Sequence, residues 1–348
     1  MRNILDSTRI ALAVSQCKPN IQNQFLEEYQ NEMDVSVMIK KYTKILNQNE
    51  QAVEKIIEDS QALSVTIISI FDDIYPALLK EINDPPLILY TIGRIELFKK
   101  TSIVAIVGTR ESTTYGNLIA IQFAKELCSY GIVVISGLAD GIDVAAHKGA
   151  LEAGDTIAVL GSGIDIIYPS INKPIYSKMY KHGLVVSEYP PGYPASKYTF
   201  PKRNRIIAGI SRGVLIVESK ERGGSLITAE YALSNNREVF AVPGKIGDEN
   251  SIGPNMLIQK GAKLVLNVQD IIEEFNWMIP EKQTKSEIKF KMDKNEESIY
   301  GMLSLEAMYI DDISSKSGLS ITKTMTILSF LEMQNLVKQV PGKRYVRS

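Results

Sequence analysis

Residues 102–161 read SIVAIVGTRESTTYGNLIAIQFAKELCSYGIVVISGLADGIDVAAHKGALEAGDTIAVLG. Three unbroken apolar runs, Ile103–Val107, 132–135 and Thr156–Leu160, alternate with helical patterns at 116–130 and Ile142–Ala153. The runs are rich in β-branched residues and show no polar alternation. They therefore predict strands covered on both faces, as in a parallel sheet flanked by helices. The texture continues through 184–186, 214–217 and 239–242, with a further helical pattern at 225–235. Strand alternating with helix over about 160 residues predicts an α/β fold with a doubly wound, Rossmann-like parallel sheet.

The flanks read differently. Residues 1–70 carry apolar residues at spacings of three and four among Lys, Glu, Asn and Gln, which predicts a small helical domain of SAM-like type. Residues 71–275 form the Rossmann-like domain, and the charge-dense stretch 276–297 reads as a linker. In 298–348, helical patterns at 298–308, Ile310–Ser317 and 321–334 precede two short strands at 336–340 and 345–347 around Pro341-Gly342. Three helices and a hairpin predict a winged helix.

Composition removes several classes of function. The chain has 348 residues, 45% hydrophobic and 23% charged, with a formal net charge of −1. Those values fit an ordinary globular protein and say nothing for or against a polyanionic partner. Two cysteines, Cys17 and Cys128, supply no disulfide framework and suit a reducing cytoplasm. The two histidines, His147 and His182, lack zinc-ligand spacing. No apolar run approaches the ~18 residues of a membrane helix, and the start of the chain has no secretory pattern. The expectation is a cytoplasmic protein with no metal, no cofactor and no membrane.

Chemistry is expected beyond the carboxyl ends of the strands, where loops enter helix N-termini. The first loop, Gly108-Thr-Arg-Glu-Ser-Thr-Thr-Tyr-Gly116, offers a sharp exit at Gly108, a capping hydroxyl at Ser112, Thr113 or Thr114, and Arg110 as a bidentate phosphate partner. The second, Ser136-Gly-Leu-Ala-Asp-Gly-Ile-Asp143, offers a carboxylate pair open to acid–base chemistry, with Asp143 favoured as a helix cap. Its glycines let another backbone or a ligand approach closely, and His147 one turn on is favoured as a structural residue over a catalytic one. The third, Lys197-Tyr-Thr-Phe-Pro-Lys-Arg-Asn-Arg205, interleaves four cations with Tyr198 and Phe200, as a single-strand binder requires. Residues 195–245 hold nine Lys/Arg against four Asp/Glu, a local excess of 9 − 4 = +5. The fourth, Glu218-Ser-Lys-Glu-Arg-Gly-Gly-Ser-Leu-Ile-Thr-Ala-Glu230, brings Gly223, Gly224 and Ser225 to a helix start, another anion cradle. Glu218 stays open between catalysis and pairing with an arginine, with pairing favoured.

Taken in order, these segments resemble the DNA-processing protein A (DprA/Smf) family. The resemblance spans residues 75–265. It is carried by Asp84-Pro-Pro, Leu89-Tyr-Thr-Ile-Gly93, Ile106-Val-Gly-Thr-Arg110, Tyr115-Gly116, the 136–143 loop, Ala146-His-Lys-Gly-Ala150 and Thr156-Ile-Ala-Val-Leu-Gly161. It continues through Tyr168-Pro169, Ser187-Glu188, Phe200-Pro-Lys-Arg-Asn-Arg-Ile-Ile-Ala-Gly209, Gly223-Gly-Ser-Leu-Ile-Thr-Ala229 and Val242-Pro-Gly244. The closing Gly342-Lys-Arg-Tyr-Val-Arg347 is similar to the end of the family's winged helix. Leu12 to Asn23 departs from the family's glycine-containing hairpin, and Arg222-Gly-Gly replaces its more usual Ser-Gly.

The resemblance implies a non-catalytic, homodimeric protein that binds single-stranded DNA and loads a RecA-type recombinase in natural transformation, competence and homologous recombination. Carried over motif by motif, the DNA contacts fall on Gly108, Thr109, Arg110, Thr113 and Tyr115 in the first loop and on Ser136 and Gly137 in the second. In the third, Phe200 faces a base and Lys202, Arg203, Asn204 and Arg205 hold the backbone. In the fourth, Gly223, Gly224, Ser225 and Thr228 complete the set. The winged helix balances six Lys/Arg against six Asp/Glu over 296–348, which favours a protein contact over duplex reading. Two rival readings remain: a Rossmann-like nucleotide phosphoribohydrolase using Glu230 and Arg110, and a nucleotide-sensing module.

Overall fold

The computed structural model describes residues 5–277, 292–334 and 336–347. The chain divides into two compact units. The larger opens with three helices, α1 (Asp6–Ser15), α2 (Pro19–Gln30) and α3 (Val35–Ala62). The Asp34 carboxylate starts α3 by accepting the Ser36 N–H at 2.8 Å. Then come β1 (Thr66–Ser69), a single turn α4 (Ala77–Lys80) and β2 (Ile88–Gly93). Residues 66–69 close the segment read from sequence as helical. Their Thr-Ile-Ile-Ser composition is that of a strand, and β1 pairs antiparallel with β2.

The expected alternation follows. It runs β3 (Ile103–Val107), α5 (Thr114–Ser129), β4 (Val133–Ser136), α6 (Ile142–Ala153), β5 (Thr156–Leu160), α7 (Lys173–His182) and β6 (Leu184–Ser187). It resumes with α8 (Thr199–Ile210), β7 (Gly213–Ile216), α9 (Gly224–Ser234), β8 (Glu238–Ala241), α10 (Glu249–Gln259), β9 (Lys263–Leu264) and α11 (Val268–Glu274). The nine strands form one sheet in the order β1-β2-β6-β5-β4-β3-β7-β8-β9. From β6 to β9 neighbours are parallel, and β2 meets β6 antiparallel. Every residue of β3, β4, β5, β6 and β7 is buried, as helices on both faces demand. One continuous apolar core runs from Ile10 and Phe25 through Ile68 and Leu89 to Val185 and Val214, so the N-terminal helices share it with the sheet.

The smaller unit contains α12 (Lys294–Met302), β10 (Met308–Tyr309), α13 (Ile310–Ser317), α14 (Ile321–Met333), β11 (Val337–Val340) and β12 (Arg344–Arg347). Of the stretch read as a linker, 278–291 lie outside the described residues. From Lys294 the chain is already helical, because Asp293 and Glu296 form a reciprocal cap. The helix expected to reach residue 308 stops at Met302, and Met308 and Tyr309 pair with β12 instead. Gly318, at φ +69°, ends α13 in the left-handed region. Ile299, Ile313, Leu328 and Tyr345 close a separate core, completing a winged helix.

Candidate functional site

In an open parallel sheet, ligands bind beyond the carboxyl ends of the strands where strand order reverses. β4, β5 and β6 extend from one side of β3, whereas β7, β8 and β9 extend from the other. The reversal therefore lies between β3 and β7. A cavity of about 430 Å³ opens there, walled by the loop after β3, part of the loop after β4, the first turns of α8, and the loop from β7 into α9.

Glycines let these loops lock together. The Thr109 N–H donates to the Glu218 carbonyl at 2.7 Å, and the Ile142 N–H to the Thr109 carbonyl at 3.3 Å. A Cβ on Gly108 would stand 2.5 Å from the Ile142 side chain and 2.8 Å from the Glu218 carbonyl. Gly141 has φ +76°, and a Cβ there would meet the Thr109 carbonyl at 2.3 Å. At both positions backbone approaches backbone more closely than any side chain permits.

The loop after β4 is held by two buried charges. Asp143 does not cap α6; its Oδ2 accepts the Gly137 N–H at 3.1 Å. From the opposite side Arg203 donates through Nη1 to the Gly137 carbonyl at 2.6 Å and also to the Val159 carbonyl. Burial raises the Asp143 carboxyl's pKa, against the Arg203 charge and the N–H groups of Ala139, Gly137 and Gly108. Arg203 is pulled down to about 10 by burial, with the nearby Arg110 adding to the pull and Asp143 opposing it.

His147 lies beneath this pair, with Nδ1 2.8 Å from the Thr156 hydroxyl. That hydroxyl donates its proton to the Val134 carbonyl. Nδ1 therefore carries the hydrogen on His147. Burial, with Arg203 adding to it, lowers the imidazole's pKa to about 3, so the ring is neutral.

The third basic segment departs from expectation. The sequence predicts a loop over 197–205, but from Thr199 the segment is α8, and the helix turns Arg203 and Arg205 inward beside Ile206 and Ile207. Arg205 is 3% exposed, donates to Glu188 and lies 3.1 Å from Asp84. Its partners are carboxylates of the fold, so it does not face the cavity as a phosphate ligand. Lys202 stays half-exposed, 3.7 Å from Glu188. The Asn204 amide donates to the Gly224 carbonyl at 3.3 Å, tying α8 to the start of α9.

Phe200 sits at the mouth. Its ring packs so closely on Gly161 that a Cβ there would lie 2.8 Å away. The Arg110 guanidinium stands 4.9 Å from the ring centroid, and the Tyr168 ring lies 5.5 Å away at a 35° tilt. On the facing wall, Gly223, Gly224 and Ser225 begin α9, whose unsatisfied N–H groups and positive dipole end favour an anion. Ser225 donates to the Ser219 hydroxyl at 2.9 Å, and Thr228 is buried behind them.

The charge of the lining supports the same chemistry. Arg110, Lys197, Arg203, Lys220 and Arg222 face Glu111 and Asp143, a balance of 5 − 2 = +3. Lys220 is engaged by Glu111 at 2.8 Å and Glu249 at 3.6 Å. Arg110, Lys197 and Arg222 make no ion pair among the described residues. The cavity can thus take a phosphate on α9 and Arg110, with a planar group near Phe200.

Ten of the expected site residues line this cavity: Gly108, Thr109, Arg110, Phe200, Arg203, Asn204, Gly223, Gly224, Ser225 and Thr228. Gly137 lines a small adjoining recess with Tyr168. Ser136 is elsewhere, its hydroxyl donating to the Ile106 carbonyl at 2.6 Å to join β4 to β3. Thr113 accepts the Gly116 N–H at 3.0 Å as the cap of α5, and neither it nor the exposed Tyr115 is in the lining. Lys197, one of the four cations of the third loop, lines the cavity as well, whereas Lys220 there and Tyr168 in the recess are not expected from the sequence, although each stands inside a quoted motif.

A larger cavity of about 670 Å³ between α1, α3 and β1 has a mainly apolar wall with Asp72 and Asp73 and no Lys or Arg, so it offers an anion no countercharge. Among the described residues, no group of three His, Cys, Asp or Glu could hold a metal, and no helix is long and apolar enough to cross a membrane.

A family model described as DNA recombination-mediator protein A matches residues 66–276, and one described as DprA winged helix domain matches 283–343. The chain is 46% identical over 211 residues to the DNA processing protein DprA of Bacillus subtilis, covering 60% of this chain and 71% of that protein. It is 36% identical over 283 residues to protein Smf of Escherichia coli, covering 79% and 75%. The X-ray structure of DprA from Streptococcus pneumoniae superposes with a TM-score of 0.67 at 38% identity, over 78% of this chain and 98% of that one. DNA processing protein A from Helicobacter pylori, whose structure is described in terms of a single-stranded DNA binding mode, gives 0.56 at 31% identity, over 61% and 96%.

Proposed function

The chain belongs to the DNA recombination-mediator protein A family, and from that premise we propose that it binds single-stranded DNA in the cavity between β3 and β7. We further propose that it passes the strand to a RecA-type recombinase in natural transformation, acting in the cytoplasm as a homodimer and without catalysis. The observation that carries the reading is Arg110, without an ion pair among the described residues, poised over Phe200 opposite the α9 N-terminus.

Phosphate affinity from a guanidinium and helix N–H groups is independent of sequence, and an aromatic ring accepts any base. Bases of a duplex are stacked on one another and cannot reach such a ring. The winged helix supports a protein contact: α14 exposes Met325, Phe330 and Met333 and has Lys323 as its cation. Exposed Leu264 and Leu266 at the edge strand β9 support self-association.

The phosphoribohydrolase reading needs Glu230 at the reacting bond. Glu230 is exposed on α9 and absent from the cavity lining, whereas the lining carboxylates are engaged, Asp143 with the 136–143 loop and Glu111 with Lys220. Length separates a polymer site from a nucleotide sensor. Titrating fluorescent oligo-dT of rising length, the matching duplex and thymidine monophosphate should give affinity that grows with length and prefers single strands. Equal binding of the mononucleotide and the oligomers would contradict the proposal.

A further inference from the structure

The proline-rich segment Tyr189-Pro-Pro-Gly-Tyr-Pro194 has no part in the cavity described above. Its Tyr189, Pro190 and Tyr193 wall a second cavity of about 190 Å³ on the other side of α8, together with Glu188, Lys202, Asp84 and residues of α1 and α2. The Tyr189 and Tyr193 rings are stacked, with centroids 4.6 Å apart and planes within 20°, and Tyr193 is 41% exposed. The turn that presents them is fixed by backbone bonds. Tyr193 N–H donates to the Pro190 carbonyl at 3.2 Å, and the Gly163 N–H donates to the Tyr193 carbonyl at 2.7 Å. The Asp165 carboxylate accepts the Gly192 N–H at 2.8 Å. A rigid, half-open aromatic surface costs little to stack upon, because the rings are ordered beforehand.

We infer that Tyr189 and Tyr193 form a second base-stacking seat for the same DNA strand, with Lys202 on the phosphate that crosses α8 between the two cavities. The inference rests on the single-strand reading of the first cavity. Both cavities open at carboxyl ends of strands, the first above β3 and β7 and the second above β6. β6 lies three strands from β3, roughly 14 Å at ~4.8 Å per step. A polymer bridges that separation, whereas a mononucleotide in one cavity leaves the other empty. Two carboxylates wall this cavity, Glu188 and Asp84; Arg205 pairs with Glu188 and lies 3.1 Å from Asp84, and with Lys202 the charges balance, so a phosphate meets no net negative wall. Lys202, half-exposed and 3.7 Å from the Glu188 carboxylate, is the cation able to turn outward.

The test compares wild type, Tyr193→Ala, Tyr193→Phe and Lys202→Gln on oligo-dT from two nucleotides upward, and maps photocrosslinks of a 5-iodouracil oligomer. Tyr193→Ala should keep wild-type affinity for the dinucleotide and lose roughly tenfold on oligomers long enough to span both cavities. Tyr193→Phe should match wild type, Lys202→Gln should lose part of the same gain, and crosslinks should reach Tyr193. An unchanged gain with length in Tyr193→Ala overturns the second seat while leaving the first intact. A loss in Tyr193→Phe as large as in Tyr193→Ala also overturns it, since the ring would then be irrelevant. Failure of wild type to bind any oligomer overturns the reading of the first cavity, and the second seat with it.

Discussion

Lys202 and Arg205 stand three positions apart in one basic run and do different work. Arg205 is buried against Glu188, whereas Lys202 is half-exposed beside the same carboxylate. Removing Arg205 leaves the largely buried Glu188 carboxylate with only the more distant, half-exposed Lys202, so Arg205→Ala should destabilise the fold by about 3 kcal/mol. Lys202→Ala should cost under about 1 kcal/mol; urea midpoints of the two variants check the contrast. His147 gives a pH-dependent counterpart. Its folded pKa near 3 lies below the ordinary value of 6.5, so the unfolded chain binds the extra proton. The associated stability is complete above pH 6.5 and is lost as pH falls toward 3. Between pH 7 and 5 the wild type should lose about 2 kcal/mol through this group. His147→Gln should lack that share of the slope, and equal slopes would contradict a buried neutral ring. Gly141 was legible as a close-approach position and Gly108 as a sharp exit from its strand; the close approach at Gly108 was not. The inward turn of Arg203 and Arg205 was not, since their carbonyl and carboxylate partners come from distant segments.

At the scale of elements, the strands from β3 to β8 were legible because unbroken β-branched runs have one stable home in a doubly covered sheet. β1 and α8 were not. β1 is four residues long and becomes a strand by pairing with β2, which lies twenty-odd residues on in sequence. α8 carries Lys, Arg and Asn where a helix of this kind is apolar, and only its tertiary partners make those residues inward-facing. The apolar side of α1, with Ile10 and Leu12 almost fully buried, shares the core with β1 and β2. The amides of β1 should therefore exchange with solvent through the same opening as β2, not by separate fraying of the N-terminal helices. Hydrogen exchange measured strand by strand checks this, and rapid exchange confined to residues 1–70 would show an independent helical module.

For the molecule as a whole, function follows from topology. The strand order reverses between β3 and β7, so two loops diverge there, glycines bring them into backbone contact, and α9 points its N-terminus into the gap. Motif order in the sequence located those loops; it did not show which cations face the gap, because that depends on helix rotation and ion pairing. Arg110 is the one on which the account turns. The decisive measurement is the salt dependence of oligo-dT binding by wild type and Arg110→Ala. The account predicts that Arg110→Ala weakens binding to all single-stranded sequences alike and lowers the log–log salt slope by about 0.7 to 1. A correctly folded Arg110→Ala with unchanged affinity and slope would contradict it.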